Sequence, residues 1–526
     1  MENKIMILGS GPVARNLAGS LITEGIPVVM ACRDPEAAAM GASFQESHKS
    51  DPEVISDATV QSCTGVAGDF SVELASGNLK IERHVRAVIL SEESVRESNA
   101  SRYSLPLFPR IIPLSRLRTA FESPDTQGEI ISSVKTCLFL NGLIGESHPE
   151  ILREVMHFAL LLQREYQIRS HVFVNNLKVA GDGLEALYRE TRIAGVIYTK
   201  VTESSVIMEK TDEGRIRLTY FDEPIRLTLT LLTDLIIIDE KAIPSGFLMA
   251  SAQKMGLETG LSGFAQKENV HRLPVATNRK GILVVGDSRG GFSKKERDAD
   301  TASAMLALTS PRVDLIPLNE KARIHEGRCI RCLTCFRACP YHAILLNPRP
   351  VVALQACEGC GICMAECPRD AINLGVSSKE TIPGYLNEPS LSILAFCCTR
   401  SAIPALELAS LMGYPVSKTV SAIRVPCAGK ITPEEILMAF KGGADGVMVI
   451  TCHQGNCHSE KGNRLAKDRV GYLKHFLKES GIGEGRLIYC TLASNMGSEA
   501  WGLVRSFESV LSTLGRTPLN RERPVI

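Results

Sequence analysis

Cys329-Ile-Arg-Cys332-Leu-Thr-Cys335-Phe-Arg-Ala-Cys339-Pro340 and Cys357-Glu-Gly-Cys360-Gly-Ile-Cys363-Met-Ala-Glu-Cys367-Pro368 share one C-x2-C-x2-C-x3-C-P spacing, offset by 28 residues. Each leads into a matching tail, Tyr341-His342-Ala343-Ile344 and Arg369-Asp370-Ala371-Ile372. Three thiolates so closely spaced can wrap one iron-sulfur cube, whereas the fourth, just before proline, points to another. The ligand sets are therefore expected to cross. Cys329, Cys332, Cys335 and Cys367 would hold one 4Fe-4S cluster, and Cys357, Cys360, Cys363 and Cys339 the second. Crossing keeps both cubes in one small fold, close enough for electrons to pass between them.

The chain around this segment has 526 residues, too many for one hydrophobic core, so about three to five domains are expected. Its 44% hydrophobic and 22% charged residues are those of a soluble globular protein, and 59 basic against 58 acidic residues give no reason to expect nucleic-acid binding. No apolar stretch reaches the roughly 18 residues of a membrane span, and Met1-Glu2-Asn3-Lys4 opens directly into strand-like Ile5-Met6-Ile7-Leu8. The chain reads as cytoplasmic and unprocessed, any membrane association being made through partner subunits. Fourteen of its 17 cysteines fall between Cys329 and Cys490. Without a secretory signal, that density points to metal rather than disulfides, and the spacing favours clusters over a structural zinc module.

The double run resembles bacterial two-cluster ferredoxins, which implies a small α+β electron-transfer domain over residues 316–382. Adding an electron adds negative charge, which nearby cations stabilise and anions oppose. Arg328, Arg331 and Arg337 flank the first run, and Glu358, Glu366 and Asp370 the second. The first cluster is therefore expected to be the easier to reduce, although Glu366 adjoins one of its ligands.

From residue 388 to 526 apolar strands alternate with helices, as in a parallel flavodoxin-like α/β sheet. Strands are expected at Leu391–Phe396, Ala422–Val425, Gly446–Ile450 and Arg486–Tyr489. Thr432-Pro433-Glu434-Glu435 forms a capping box that opens a helix to about Lys441. Cysteines follow each strand: Cys397-Cys398, Cys427, Cys452 with Cys457, and Cys490. Ligands gather at the carboxyl ends of such strands, so several of these thiols should face one crevice and hold a 2Fe-2S cluster; buried inert cysteines or a redox dithiol are the competing readings. His453 and His458 are expected as hydrogen-bond donors behind the ligands or as surface residues.

Cys397-Cys398, Val425-Pro426-Cys427-Ala428-Gly429, Gly443-Ala444-Asp445-Gly446-Val447, Cys452-His453-Gln454-Gly455-Asn456-Cys457-His458 and Gly462-Asn463 resemble the delta subunit of methyl-viologen-reducing hydrogenases over roughly residues 388–515. The resemblance implies a 2Fe-2S domain that passes electrons between a hydrogenase or other partner and heterodisulfide reductase. Ser401 stands where that family usually has a further cysteine, which leaves the ligand set open and makes Cys490 a candidate substitute.

At the N-terminus, Ile5–Leu8, the turn Gly9-Ser10-Gly11-Pro12-Val13-Ala14, a helical stretch to Glu24 and strand Val28–Ala31 form a βαβ opening. The GxGxxA turn lets a pyrophosphate approach backbone amides at a helix N-terminus. Gly281-Ile282-Leu283-Val284-Val285-Gly286-Asp287 reads as an apolar strand ending in a Gly-Asp pair. Val134–Leu140, Glu150–Gln163, His171–Val174 and Val196–Tyr198 suggest an inserted Rossmann-like domain over residues 129–239, without a glycine fingerprint. These parts, with Thr211-Asp212-Glu213-Gly214 and Gly286-Asp287-Ser288-Arg289-Gly290, resemble the flavin-bearing HdrA component of heterodisulfide reductase over residues 1–315. The resemblance implies an FAD/NAD(P)-binding Rossmann-like fold over 1–128 and 240–315, with FAD held by Gly9, Gly11, Ala14, Gly286 and Asp287. Cys32 replaces the acid expected at the adenosine ribose, Ser91-Glu92-Glu93 replaces an Ala-Thr-Gly, and the family's clustered cysteines are reduced to Cys137, so its extra cluster is expected to be absent. Cys32 and Cys63 read as buried thiols.

The expected whole is an electron-transfer subunit of a heterodisulfide-reductase-like oxidoreductase complex, partnered by reductase, hydrogenase or dehydrogenase subunits. Related architectures occur in quinone-interacting oxidoreductases of sulfate reducers and class II benzoyl-coenzyme A reductase complexes. The rivals are a flavoenzyme with substrate chemistry of its own, for which no catalytic constellation is visible, and a docking subunit with a silent flavin site. In a redox titration followed by EPR, Arg331→Glu should lower the midpoint of the first cluster; no shift in either midpoint would defeat the charge argument.

Overall fold

The computed structural model describes residues 4–34, 52–103, 108–122, 124–201, 206–222, 225–265, 274–309, 318–375, 392–415 and 417–520. The chain divides into two compact units, the second comprising Glu93–Ser245 and Gly290–Glu296 and the first comprising the rest.

The first unit begins with a parallel sheet in the order Ile282–Val284, Ala87–Leu90, Ile5–Leu8, Val28–Ala31, Glu53–Ile55. Ile5–Leu8, Val28–Ala31 and Ala87–Leu90 are buried at every position, as uniformly apolar strands covered on both faces should be. Helix Pro12–Thr23 starts with proline at its first position and turns Ala14, Leu17, Ala18 and Leu21 to the core at helical spacing. An antiparallel meander, Ala58–Val66, Asp69–Ser76 and Leu79–Val85, completes this part.

Two small ribbons follow, Arg323–Ile324 with Ile372–Asn373 and Ile344–Leu346 with Pro350–Val352, together with the short helices Thr334–Ala338 and Ile362–Ala365. The 28-residue repeat is also conformational. Left-handed backbone occurs at Arg331, Leu333 and His342, and again at the equivalent Gly359, Gly361 and Asp370. Only the second copy uses glycine, for which that geometry carries no Cβ penalty, at two of the three places.

The C-terminal part is a parallel sheet in the order Val420–Val425, Ile393–Cys398, Gly446–Thr451, Leu487–Thr491. The four observed strands overlap the expected ones, and the first and fourth run through Cys397-Cys398 and Cys490; Leu391, the expected start of the first, lies outside the described residues. One face packs Phe396, Val425 and Val449 on helices Pro433–Lys441 and Gly462–Glu479. The other packs Ala395, Met448 and Ile450 on Ala402–Leu411 and Gly497–Leu514, which makes the part a doubly wound, flavodoxin-like layer.

The second unit repeats the plan of the first unit's opening. Its parallel sheet runs Ile197–Lys200, Arg169–Val174, Thr136–Asn141, Leu235–Ile238, Ile111–Pro113, with the antiparallel meander Val206–Lys210, Ile216–Asp222, Leu227–Thr233. Its limits are wider than the expected 129–239. Ile111–Pro113 pairs with Leu235–Ile238, and Val95–Ser98 with Glu240–Ile243; strands of three or four residues carry too little periodicity to be recognised from sequence. Among the described residues no helix is long and apolar enough to cross a membrane.

The capping box forms in full: the Thr432 hydroxyl accepts the Glu435 amide at 3.2 Å, and the Glu435 carboxylate accepts the Thr432 amide at 2.8 Å. Thr432→Ala should cost about 1 kcal/mol. Hydrogen exchange should show it as faster exchange of the first-turn amides of Pro433–Lys441, with the helix of Gly497–Leu514 unchanged.

Candidate metal centres

Cys329, Cys332, Cys335 and Cys367 line one small cavity, walled by Ile324 and Ile372. Cys339, Cys357, Cys360 and Cys363 line another, walled by Tyr341 and Ile344. The last cysteine of each run thus faces the other run's cavity. Cys339 leaves the helix Thr334–Ala338 in extended conformation (φ −71°, ψ 114°), and Pro340 prevents the helix from continuing. The left-handed residues after Cys339 and Cys367 turn an amide back on each sulfur: Ala343 donates to Cys339 Sγ at 3.4 Å and Ala371 to Cys367 Sγ at 3.3 Å. Such turned amides favour negative charge.

The two quartets differ in their access to water. Cys332 is exposed, and the Thr334 hydroxyl and amide lower its thiol from the ordinary range. Burial pushes Cys360 up to about 12 and raises Cys363 as well. The expected charge contrast is reduced on the acidic side. Glu366 is ion-paired with Arg469, which also donates to the Gly429 and Ile431 carbonyls at 2.8 Å, and Glu358 lies 3.8 Å from Lys280. Neither cation adjoins the motif in sequence, so the motif alone could not reveal them.

In the C-terminal part, Cys398 meets Cys452, Cys452 meets Cys457, and Cys457 meets Cys427 through hydrogen bonds between sulfurs. The bond from Cys452 draws Cys398 down to about 6; those from Cys427 and Cys452 lower Cys457, and the donors themselves are raised. Cys457 also accepts the amides of Ser459 and Asn463, the second lying in the first turn of Gly462–Glu479, where the helix dipole favours an anion. Gly462 is required by contact: a Cβ there would lie 2.2 Å from Cys427 Sγ. Ser401, buried, sets its hydroxyl beside the Cys398 sulfur and helps to lower it.

Cys397 and Cys490 are not brought to this group, although both stood among the candidates. Cys397 is level with Ile450, and Ile450 with Cys490, so the three share one face of the sheet. That face packs on Ala402–Leu411 and Gly497–Leu514, and burial pushes the Cys397 thiol up to about 12. Cys398, one residue on and last in its strand, is the one that meets Cys452. His453 is held away by both ring nitrogens, Nδ1 to Thr491 Oγ1 at 2.9 Å and Nε2 to Met496 Sδ at 3.2 Å.

Cys360 of the second quartet packs against Cys427, Cys452 and Cys457. Tyr341 fastens the same junction, its hydroxyl donating to the His458 carbonyl at 3.2 Å and meeting Ser459 Oγ at 3.1 Å. Second quartet and C-terminal thiols are thus direct neighbours. Among the described residues no three histidines, cysteines or carboxylates gather tightly enough for a single metal ion.

At the N-terminal turn, Gly9 has φ +131°, and a Cβ there would lie 2.1 Å from the Ser91 carbonyl oxygen. Helix Pro12–Thr23 has no side-chain cap, so the first amides after Gly11 remain available to a phosphate, with Ala14 in the same turn. The Gly286 amide donates to Asp300 at 2.8 Å, and one oxygen of Asp287 accepts from Arg297 Nε and Nη2 at 2.9 and 2.6 Å. Burial raises the Cys32 thiol, so it offers no negative charge to a ribose. The pyrophosphate end of a dinucleotide fits these residues better than its adenosine end. Arg297 and Asp300 lie on helix Lys294–Thr309, outside any of the sequence motifs.

Residues 393–515 match the family of the methyl-viologen-reducing hydrogenase delta subunit, and residues 322–374 match the 4Fe-4S dicluster domain. The vhu iron-sulfur protein of the F(420)-non-reducing hydrogenase of Methanocaldococcus jannaschii is 36% identical over 132 residues, covering 25% of this chain and 97% of that one. The HdrA component of the ferredoxin:CoB-CoM heterodisulfide reductase of Methanosarcina mazei is 25% identical over 351 residues, 65% of this chain and 44% of that one, so the chain spans less than half of that relative. Of solved structures, the flavoprotein disulfide reductase RclA from Escherichia coli aligns over 59% of this chain and 71% of that chain, at 12% identity and a TM-score of 0.37, too distant a likeness to carry an argument.

Gly462→Ala should displace the Cys427 sulfur and abolish metal retention at the C-terminal thiols while the segment 322–374 stays loaded. Cys397→Ala should leave both unchanged. Metal and acid-labile sulfide analysis of the two variants checks the pair.

Proposed function

We propose, since through residues 393–515 the chain belongs to the methyl-viologen-reducing hydrogenase delta-subunit family, that it is an electron-relay subunit of a heterodisulfide-reductase-like oxidoreductase complex. One observation carries this reading: the second ferredoxin-type quartet touches the C-terminal thiol group through Cys360, so three cysteine sites stand in series. Iron-sulfur clusters held there would supply one-electron uptake and release.

In this reading Cys329, Cys332, Cys335 and Cys367 hold one 4Fe-4S cluster, and Cys339, Cys357, Cys360 and Cys363 another. Cys398, Cys427, Cys452 and Cys457 hold a 2Fe-2S cluster. The protein's own contribution is placement and dryness. Gly361, Gly429 and Gly462 keep the junction narrow: Cβ atoms would lie 2.8 Å from Lys430 at Gly361 and 2.8 Å from the Gly462 Cα at Gly429. Arg469 clamps Glu366 to the carbonyls of the C-terminal part. Lys430 and Glu435, both buried, meet at 3.4 Å beside the junction, so charge is paired where water is excluded. The other subunits of such a complex would provide donor and acceptor.

FAD would be held at its pyrophosphate by backbone amides of the turn after Gly9 and of Val13, the first amide beyond Pro12, beside Ala14 and Gly286. A second reading, a flavin-type fold serving as a docking platform, is favoured by the engagement of Asp287 with Arg297 and by the neutral Cys32. Anaerobic purification of the chain with iron, sulfide and flavin quantitation tests both. The relay predicts about ten iron atoms per chain, and fewer than about eight, or zinc in their place, would sink it. Stoichiometric FAD favours the flavin site, and its absence the platform.

A further inference from the structure

Of the cysteines in the chain, Cys332 alone is exposed. The second quartet and the C-terminal thiols lie inward from it, Cys360 being packed between them. Around Cys332 the surface has a definite chemistry. Ile330, beside Cys332 at the first quartet's cavity, is 58% exposed, and Phe336, on the far side of Cys332 in sequence, is 40% exposed. Arg328, Arg331, Arg337 and Arg369 are exposed around them. Among the described residues none of these four is ion-paired with a carboxylate, and Arg337 donates only to the Cys332 carbonyl, at 3.2 Å. The acids nearby are few: Asp370, and Glu326, which lies 3.9 Å from Arg349. The acidic flank of the second run, by contrast, is largely neutralised within the unit, by Lys280 and Arg469.

We propose that this face, Cys332 with Ile330 and Phe336 inside a rim of Arg328, Arg331, Arg337 and Arg369, is the docking port for a small acidic one-electron carrier protein. An apolar centre within a polar, charged rim is the anatomy of a protein interface. A patch this small suits a transient encounter, in which like-signed rim charge governs the rate of association with an oppositely charged partner. The transfer balances simply: the reduced carrier loses one electron and is oxidised, and the group held by Cys329, Cys332, Cys335 and Cys367 gains it and is reduced, or the reverse. The inference rests on the relay reading and adds where the relay meets its mobile partner and what charge that partner bears.

The test uses the full chain, prepared anaerobically, and an acidic plant-type ferredoxin as probe, both oxidised, with binding followed by calorimetry and by association kinetics. A basic cytochrome of similar size is the control. The acidic probe should bind and the basic one should not, and raising salt from about 50 to about 500 mM should weaken binding by about tenfold or more. Arg331→Glu with Arg337→Glu should lower affinity by about tenfold or more, mainly through the association rate, while Ile330→Ser with Phe336→Ser should speed dissociation. Each variant should keep the cluster EPR signals of the parent. Affinity indifferent to salt and to the arginine reversals, with those signals intact, overturns the port alone. Parent chain without cluster signals overturns the relay reading, and the port with it.

Discussion

The contact of Cys360 with Cys427, Cys452 and Cys457 is the constraint around which the first unit is arranged. It brings a sulfur of a ferredoxin-type quartet against thiols at the carboxyl ends of a parallel sheet, and that closeness requires the absence of side chains elsewhere. Gly361, Gly429 and Gly462 each stand where a Cβ would enter a neighbour, the last at 2.2 Å from Cys427 Sγ. Tyr341 and Arg469 then tie the two parts together from either side, through Ser459 and Glu366. A methyl group at any of the three glycines would widen a gap that a relay needs narrow.

Hydration changes along the same line. The first quartet opens to solvent at Cys332, whereas burial raises Cys360 and Cys363, and the C-terminal thiols are buried throughout. Where water is excluded, fixed groups take over the support of negative charge: the amides of Ser459 and Asn463 on Cys457, the N-terminus of Gly462–Glu479, and the paired Lys430 and Glu435. Fixed dipoles of this kind need little rearrangement when charge arrives, a property suited to electron transfer.

A common plan, a five-stranded parallel sheet with a three-stranded meander, appears in each unit, yet similar architecture does not give the copies similar chemistry. The first copy retains a glycine turn at an uncapped helix, while its Asp287 is engaged by Arg297. The second carries no such turn. Function in this chain therefore follows individual residues rather than sheets, and it concentrates where cysteines and glycines meet.

Spacing alone was enough to group the eight cysteines of residues 329–367, because C-x2-C-x2-C-x3-C-P constrains sulfurs only a few bonds apart and proline redirects the fourth. The same holds for the capping box at Thr432, a local interaction spanning one helical turn. The C-terminal set was legible only as a list of candidates: it took the sheet register to set Cys397 and Cys490 on the face packed under two helices, and the fold to bring Cys398 at the strand end against Cys452. Likewise Arg469 at Glu366, Lys280 at Glu358 and Arg297 at Asp287 come from separate elements of the first unit. A charge in sequence has no partner until the fold brings one. What the sequence by itself determined was the chemistry of short-range motifs, whose geometry is set by covalent bonds; which thiols meet and which charges are cancelled was decided by tertiary packing, because those distances depend on chain segments far apart in sequence.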